Sequence, residues 1–309
     1  MLNSLSPATT PFFIIAGPTS VGKSAIASAV AGHCGGEIVG ADAFQVYRGL
    51  DLLTAQPSPA QRARVPHHLI GEIPLTQSFD VAQYLRAATP RLAEINARGR
   101  VPIVVGGTGL YLRALTRGLA DLPAADADLR ARLESQPLAE LQRQLAELDP
   151  TGAAGIDRQN PRRVIRALEI CLITGRPFSS FREQWNGPPP GVRGVVLMRE
   201  RSALLARIDE RTEAMFSAGV VEEVRAAGEI GPTASQTLGL REIRAHLAGQ
   251  LSRADCLAAI QLATRQYAKR QMTWFRRETA LAPIGLDTAD PAQLAESLAA
   301  SIARPAANT

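Results

Sequence analysis

Gly17-Pro18-Thr19-Ser20-Val21-Gly22-Lys23-Ser24 is a complete G-x-x-x-x-G-K-[ST] phosphate-binding loop, and its flanks agree with it. Ahead of it runs Phe12-Phe13-Ile14-Ile15-Ala16, short, apolar and strand-like. Behind it, Ala25-Ile26-Ala27-Ser28-Ala29-Val30-Ala31 reads as a helix closed by Gly32. A strand feeding a glycine-rich turn that opens a helix aims backbone N–H groups and the positive helix end at one point. A di- or triphosphate fits there. Lys23 is placed to reach the terminal phosphates, and the Ser24 hydroxyl to help hold Mg2+. By itself the loop marks a nucleotide-binding protein and admits ATP binding.

Of 34 basic side chains only two, Lys23 and Lys269, are lysine. A compact ammonium fits between phosphate oxygens where a planar guanidinium does not, so the lysine kept in the loop has a chemical reason to be there.

Composition bounds the rest. The 309 residues suit one large domain or two modest ones, with 46% hydrophobic residues to build a core. A net charge of +5 and a pI near 9.5 admit a polyanionic partner without requiring one. Cys34, Cys171 and Cys256 are odd in number and widely spaced, which indicates neither a disulfide framework nor a zinc cluster. They read as reduced core thiols. The first eleven residues lack a secretory pattern, and no apolar stretch approaches the roughly 20 residues of a membrane span. A cytoplasmic protein, with no membrane partner and acting as a monomer, is expected.

From residue 12 to about 118, strand and helix patterns alternate. Glu37-Ile38-Val39-Gly40-Ala41-Asp42 is a short strand ending in a carboxylate. Val101-Pro102-Ile103-Val104-Val105 is a buried-type strand that runs into Gly106-Gly107-Thr108-Gly109 and then a helix from Leu110. This alternation predicts an open parallel sheet, whose ligands bind outside the carboxyl ends of the strands. From 119 to 190 the pattern turns helical: Leu138, Leu141, Leu145 and Leu148 form one apolar stripe, and Asn160-Pro161 opens a helix that runs to Gly175. The loop Asn186-Gly187-Pro188-Pro189-Pro190-Gly191 marks a boundary, and Gly194–Met198 returns as a strand. A long helix around 202–227 and another from Ser252 to about 278 follow, and the last thirty residues, an Ala-rich helix and a Pro/Asn/Thr tail, read as uninformative. The fold class is therefore α/β: a P-loop-type parallel sheet flanked by helices, formed by 1–118 and 191–309, with an inserted helical subdomain at 119–190.

Several residues could carry chemistry. Asp42, at a strand end beside the loop, suits a general base, or equally a metal ligand or a turn cap. Thr108 sits where an ordinary P-loop NTPase has Asp, and reads as a substrate contact or a helix cap. Arg162, Arg163 and Arg166 share one helix opposite Val164, Ile165, Leu168 and Cys171; they fit phosphate binding or a solvated face. Arg207 and Arg211, four apart, carry the same two readings. Arg265–Arg277 interleaves cations with Tyr267, Trp274 and Phe275, which suits a nucleic acid unless the aromatic rings face the core. His67-His68 lacks a third ligand at metal spacing and reads as structural or substrate-facing.

In order and setting, these pieces resemble the tRNA dimethylallyltransferases (isopentenyl-tRNA transferases) over about residues 12–280. The resemblance rests on the loop, on Ala41–Asp51, Pro66-His67-His68-Leu69, Val105–Tyr111, Asn160–Glu169 and Lys269–Arg276. It implies that the loop holds the diphosphate of dimethylallyl diphosphate. The acceptor would be N6 of the adenine just 3′ of a tRNA anticodon. That nitrogen is a weak nucleophile, and Asp42 matches the family's base. Lys23, Ser24, Mg2+, Thr108 and Arg207 or Arg211 would stabilise the leaving diphosphate, giving a catalytic set of Asp42, Thr108, Lys23 and Arg207. Flipping the adenine out of its stack costs a few kcal/mol, which contacts to the anticodon stem-loop must offset. Asp42, Ala43, Phe44 and Gln45, with Arg162, Arg163, Val164, Ile165 and Arg166, match stretches that contact tRNA. Gln236 to Arg241 does so too, and Arg130, Thr108, Lys269 and Arg270 join the set. Leu240 stands where the family has Tyr, and Ser24 replaces the commoner Thr. No C-terminal zinc-finger extension of the eukaryotic type is expected, which points to the shorter bacterial form. Two other activities share the loop chemistry: a small-molecule kinase with Asp42 as acceptor base, and prenylation of free adenine nucleotides. A non-catalytic RNA-binding switch is the third.

Overall fold

The computed structural model describes residues 6–120, 122–181, 191–278 and 280–303. The first five residues, the proline-rich boundary at 186–190 and the tail from 304 lie outside them. The chain divides into two compact units, Ala8–Thr116 with Pro189–Thr309 and a second drawn from Arg117–Pro188. The first half of the larger unit runs β1 (Phe13–Ala16), α1 (Lys23–Cys34), β2 (Glu37–Gly40), α2 (Pro59–Arg64), β3 (His67–His68), α3 (Val81–Ala97), β4 (Pro102–Gly106) and α4 (Gly109–Arg117). The smaller unit supplies α5 (Ala127–Glu134), α6 (Leu138–Leu148), α7 (Pro150–Gly155) and α8 (Pro161–Thr174). The chain then returns with β5 (Arg193–Met198), α9 (Arg201–Ser217), α10 (Val220–Ala226), α11 (Leu240–Leu247), α12 (Arg253–Phe275), β6 (Ala282–Gly285) and α13 (Pro291–Ala303).

The six strands form one parallel sheet in the order β3-β2-β4-β1-β5-β6. Phe13-Ile14-Ile15-Ala16 and Pro102–Gly106 are buried along their whole length, as continuous apolar runs in a two-sided parallel sheet should be. The charged exception is Glu37 at the start of β2, bonded to His68 Nε2 at 2.7 Å and Arg98 Nη2 at 2.8 Å. Burial works to raise this carboxyl, but His68 and Arg98 outweigh it and hold it below the usual range. His68 is thereby a structural partner of the sheet.

Three sequence expectations change. Helix α1 does not stop at Gly32: it runs to Cys34, and Gly35 supplies the left-handed cap with its N–H on Ala31 O. The single helix over 202–227 is two helices, because Gly219, at φ 96°, breaks it between α9 and α10. The last thirty residues are structural. β6 adds an edge strand on β5, and Ala295, Leu298, Ala299 and Ile302 of α13 share a core with Ile26, Ala27, Val30 and Ala31 of α1. The proline and the exposed residues of Ala282-Pro283-Ile284-Gly285 hide this strand from pattern reading, yet both are permitted at an edge.

In the smaller unit, Asn160 caps α8 by accepting from Arg163 N–H, and Gly175 ends it. Leu133, Leu141, Leu145, Val164, Ile165 and Leu168 form its core. Leu148, on the expected stripe, is exposed. Glu169 is fully buried there and accepts from Asp126 N–H (2.9 Å), Arg130 Nη2 (2.7 Å) and Arg166 Nη1 (2.5 Å). Losing it strands a backbone N–H and unpins two arginines that are partly exposed to water. Glu169→Ala should therefore destabilise this unit by about 2 kcal/mol. Glu169→Gln, which keeps an acceptor, should lose less; urea unfolding of both variants checks this.

Candidate functional site

The glycine-rich loop follows β1 at the carboxyl edge of the sheet, and its shape is built in. Gly17 takes φ 151°, and a Cβ there would lie 2.6 Å from Leu197 O on β5. Lys23 Nζ donates back to Pro18 O at 2.7 Å, Arg207 Nε to Ser20 O at 3.0 Å, and Arg199 Nε to Val21 O at 3.0 Å. Three cations thus hold the loop carbonyls, which suits a loop meant to present N–H groups to an anion.

A cavity of about 310 Å³ opens on this loop, lined by Lys23, Ser24, Asp42, Phe44, Arg211 and Tyr267 among others. Asp42 lies just beyond β2. Its Oδ1 accepts from Phe44 N–H (2.9 Å) and Gln45 N–H (3.3 Å), so the turn-cap reading is correct for one oxygen. The other oxygen remains for the cavity. Thr108 follows β4, and its Oγ1 accepts from Ala43 N–H at 3.0 Å. The two strand-end residues are therefore joined through one peptide.

Burial drives the Lys23 ammonium down to about 8, although Asp42 opposes the fall and Arg211 adds to it. Burial likewise lowers Arg211, again opposed by Asp42. Arg211 Nη1 donates to Thr19 Oγ1 at 2.9 Å, while its Nε is buried without a hydrogen-bond partner. Ser20 Oγ is buried and unpartnered as well. Unsatisfied donors around a cationic cavity are what an anion would relieve. Both arginines line the cavity: Arg207, the one placed in the expected catalytic set, is the more exposed and holds Ser20, while Arg211 is the more deeply buried.

Tyr267 faces Phe44 with ring centroids 6.4 Å apart. Burial and the Asp42 charge push its phenol up, opposed by neighbouring Thr108, Arg270 and Gln271. Of the other aromatics on α12, Phe275 faces the core and Trp274 packs on Gly109. Gln45 Nε2 is held by Thr54 O and Ala55 O. Lys269 and Arg270 are exposed, with Arg270 over the Tyr267 ring. Gln236 is exposed, and the largely free Arg241 side chain meets Glu242 at 2.9 Å. In the smaller unit Arg162 and Arg163 are exposed, Arg130 and Arg166 are tied to Glu169, and Val164 and Ile165 point into the core. Leu240 is buried.

Residues 45–278 match the IPP transferase family model. The chain belongs to the IPP transferase family. Relatives within it include the tRNA dimethylallyltransferase of Akkermansia muciniphila, 45% identical over 285 residues, covering 92% of this chain and 97% of that protein. The tRNA dimethylallyltransferase of Geobacter metallireducens is 44% identical over 280 residues, covering 87% and 91%. Among solved structures, the tRNA isopentenylpyrophosphate transferase of Bacillus halodurans superposes with a TM-score of 0.69 at 34% identity, covering 96% of both chains. A eukaryotic dimethylallyltransferase described as acting on tRNA gives 0.75 at 26% identity, covering 90% of this chain and 74% of that one. Sequence reading missed how Gln271 is used in this IPP transferase: it was visible only as a letter in Lys269–Arg276, and its contacts lie far away along the chain.

Proposed function

We propose that this protein transfers the dimethylallyl group from dimethylallyl diphosphate to N6 of the adenine 3′-adjacent to the anticodon of certain tRNAs, releasing diphosphate. The observation that carries the reading is the meeting of Lys23, Arg211 and the loop with Asp42 in one cavity. The bond from the prenyl C1 to the diphosphate oxygen breaks as the bond from C1 to N6 forms. The N6 proton passes to Asp42, and the diphosphate leaves into the field of Lys23, Arg211 and the loop N–H groups. Thr108 holds the Asp42–Gln45 turn through Ala43 N–H, and Arg207 keeps the loop in shape through Ser20.

The site fits Mg2+: the Ser24 hydroxyl offers a hard oxygen at the cavity, while Asp42 is kept for the proton. Among the described residues no three His, Cys, Asp or Glu side chains converge. The remaining ligands would come from diphosphate and water, and the ion would neutralise charge on the leaving group. Phe44, Gln45, Arg162, Arg163, Gln236, Arg241, Lys269 and Arg270 are the side chains offered to the anticodon stem-loop. Arg130 and Arg166 serve through their anchorage on Glu169. Among the described residues no helix is long and apolar enough to cross a membrane, and the reading takes the enzyme as a cytoplasmic monomer.

The test is one incubation of protein, Mg2+, radiolabelled dimethylallyl diphosphate and unmodified tRNA, with AMP in a parallel tube. Label in tRNA alone is expected. Label in AMP would move the protein to free nucleotides, and label in neither, with tight ATP binding, would restore the kinase reading.

A further inference from the structure

Gln271 sits on α12, buried, 252 residues from the loop it touches. Its Oε1 accepts from Thr19 N–H at 2.8 Å, and its Nε2 donates to Gly107 O at 2.9 Å. The partners fix the orientation of the amide, since an N–H needs an acceptor and a carbonyl needs a donor. One turn earlier on the same helix, Tyr267 lines the same cavity as Asp42. Arg211 grips Thr19 from the other side, and the Arg265–Asp209 pair at 2.6 Å locks α12 to the helix that carries Arg211. Gly107 has no room for a side chain: a Cβ would lie 2.3 Å from Gln271 Nε2 and 3.0 Å from Gly17 O.

The geometry points to Gln271 as the positioning residue that sets the diphosphate loop against the turn bearing Thr108, and so against Asp42. It fixes the distance between the leaving group and the accepting base without touching either substrate. This rests on the prenyl-transfer reading for its second half only, because the clamp on the loop is a statement about anion binding. Thr19 N–H is consumed by Gln271 and Val21 N–H by Pro18 O, so the amides left to face a diphosphate are those of Ser20 and of the residues from Gly22 on.

Gln271→Met keeps the volume and removes both hydrogen bonds. It should raise the KM for dimethylallyl diphosphate and the Kd for inorganic pyrophosphate by about tenfold to a hundredfold, the worth of two such bonds. Affinity for tRNA should stay within about threefold, a change under 1 kcal/mol. Gly107→Ala should act in the same direction. Gln271→Glu is the discriminating variant. Its carboxylate keeps an acceptor for Thr19 but sets a negative charge against Gly107 O and the diphosphate. Its protonated form restores both bonds, so its donor KM should recover further as pH falls into the acid range, a titration separate from the Lys23 limb near 8 that the variant shares with the parent enzyme. If Gln271→Met lowers the melting temperature but leaves donor KM and pyrophosphate Kd unchanged, Gln271 is only a packing residue and the inference is overturned. A Gln271→Glu donor KM whose pH dependence matches that of the parent enzyme would overturn it as well, even where Gln271→Met does not fold. If the parent enzyme labels no tRNA yet pyrophosphate binding responds as described, the prenyl-transfer reading fails and the clamp stands.

Discussion

Asp42→Asn is expected to lower the rate of prenyl transfer by about 10²–10⁴ while tRNA affinity stays within a few fold. Asparagine keeps a side-chain oxygen for Phe44 N–H and Gln45 N–H, so the turn that Asp42 caps survives. It cannot take the N6 proton. Asp42→Ala should abolish turnover too, with the turn also loosened, so the asparagine variant isolates the chemistry. Single-turnover rates with saturating tRNA, beside a filter-binding Kd, separate the two effects. An asparagine variant near full rate would show that another group takes the proton. The substitution has a second consequence: the Asp42 charge opposes the fall of Lys23. Removing that charge should carry the Lys23 ammonium below about 8, so the asparagine variant should bind donor less well at pH 8 than at pH 7.

What the sequence exposed and what it hid divide along a physical line. The loop, the Asp42 and Thr108 strand ends and the Asn160 cap are local: a few adjacent residues, with a known backbone preference, suffice to read them. The inward direction of Val164 and Ile165 follows from the 3.6-residue period and was visible in the same way. The rest depends on tertiary partners. Nothing in Ala282-Pro283-Ile284-Gly285 says strand until β5 offers it an edge. Arg207 and Arg211 are equivalent in sequence and both line the cavity, and only the packing of α9 decides which guanidinium is the more deeply buried there. Gln271 could not be assigned because its meaning lies in two backbone groups, Thr19 N–H and Gly107 O, that no periodicity connects to it.

Lys23 should show the other large effect, through pH. In the empty enzyme its ammonium is desolvated and titrates near 8. Above that pH the free enzyme presents a neutral amine to a diphosphate, so kcat/KM for the donor should fall as pH rises through about 8. A bound diphosphate favours the charged form and raises this value, so kcat should hold to higher pH than kcat/KM. The sign for stability is the reverse. A lysine lowered from 10.5 binds fewer protons folded than unfolded between about 8 and 10.5, so stability gains from this residue as pH climbs through that window. At neutral pH the buried charge is a liability that pyrophosphate relieves. Pyrophosphate should therefore raise the melting temperature more at pH 7 than at pH 9. Lys23→Met should cost about 10²–10³ in kcat/KM at pH 7, the size expected for a charge aimed at a leaving group. It should also erase the limb near pH 8 and flatten the pH dependence of the pyrophosphate shift. A Lys23→Met enzyme that keeps the limb would assign it elsewhere in the cavity. Tyr267 is no alternative, because burial and the Asp42 charge push its phenol above its ordinary range.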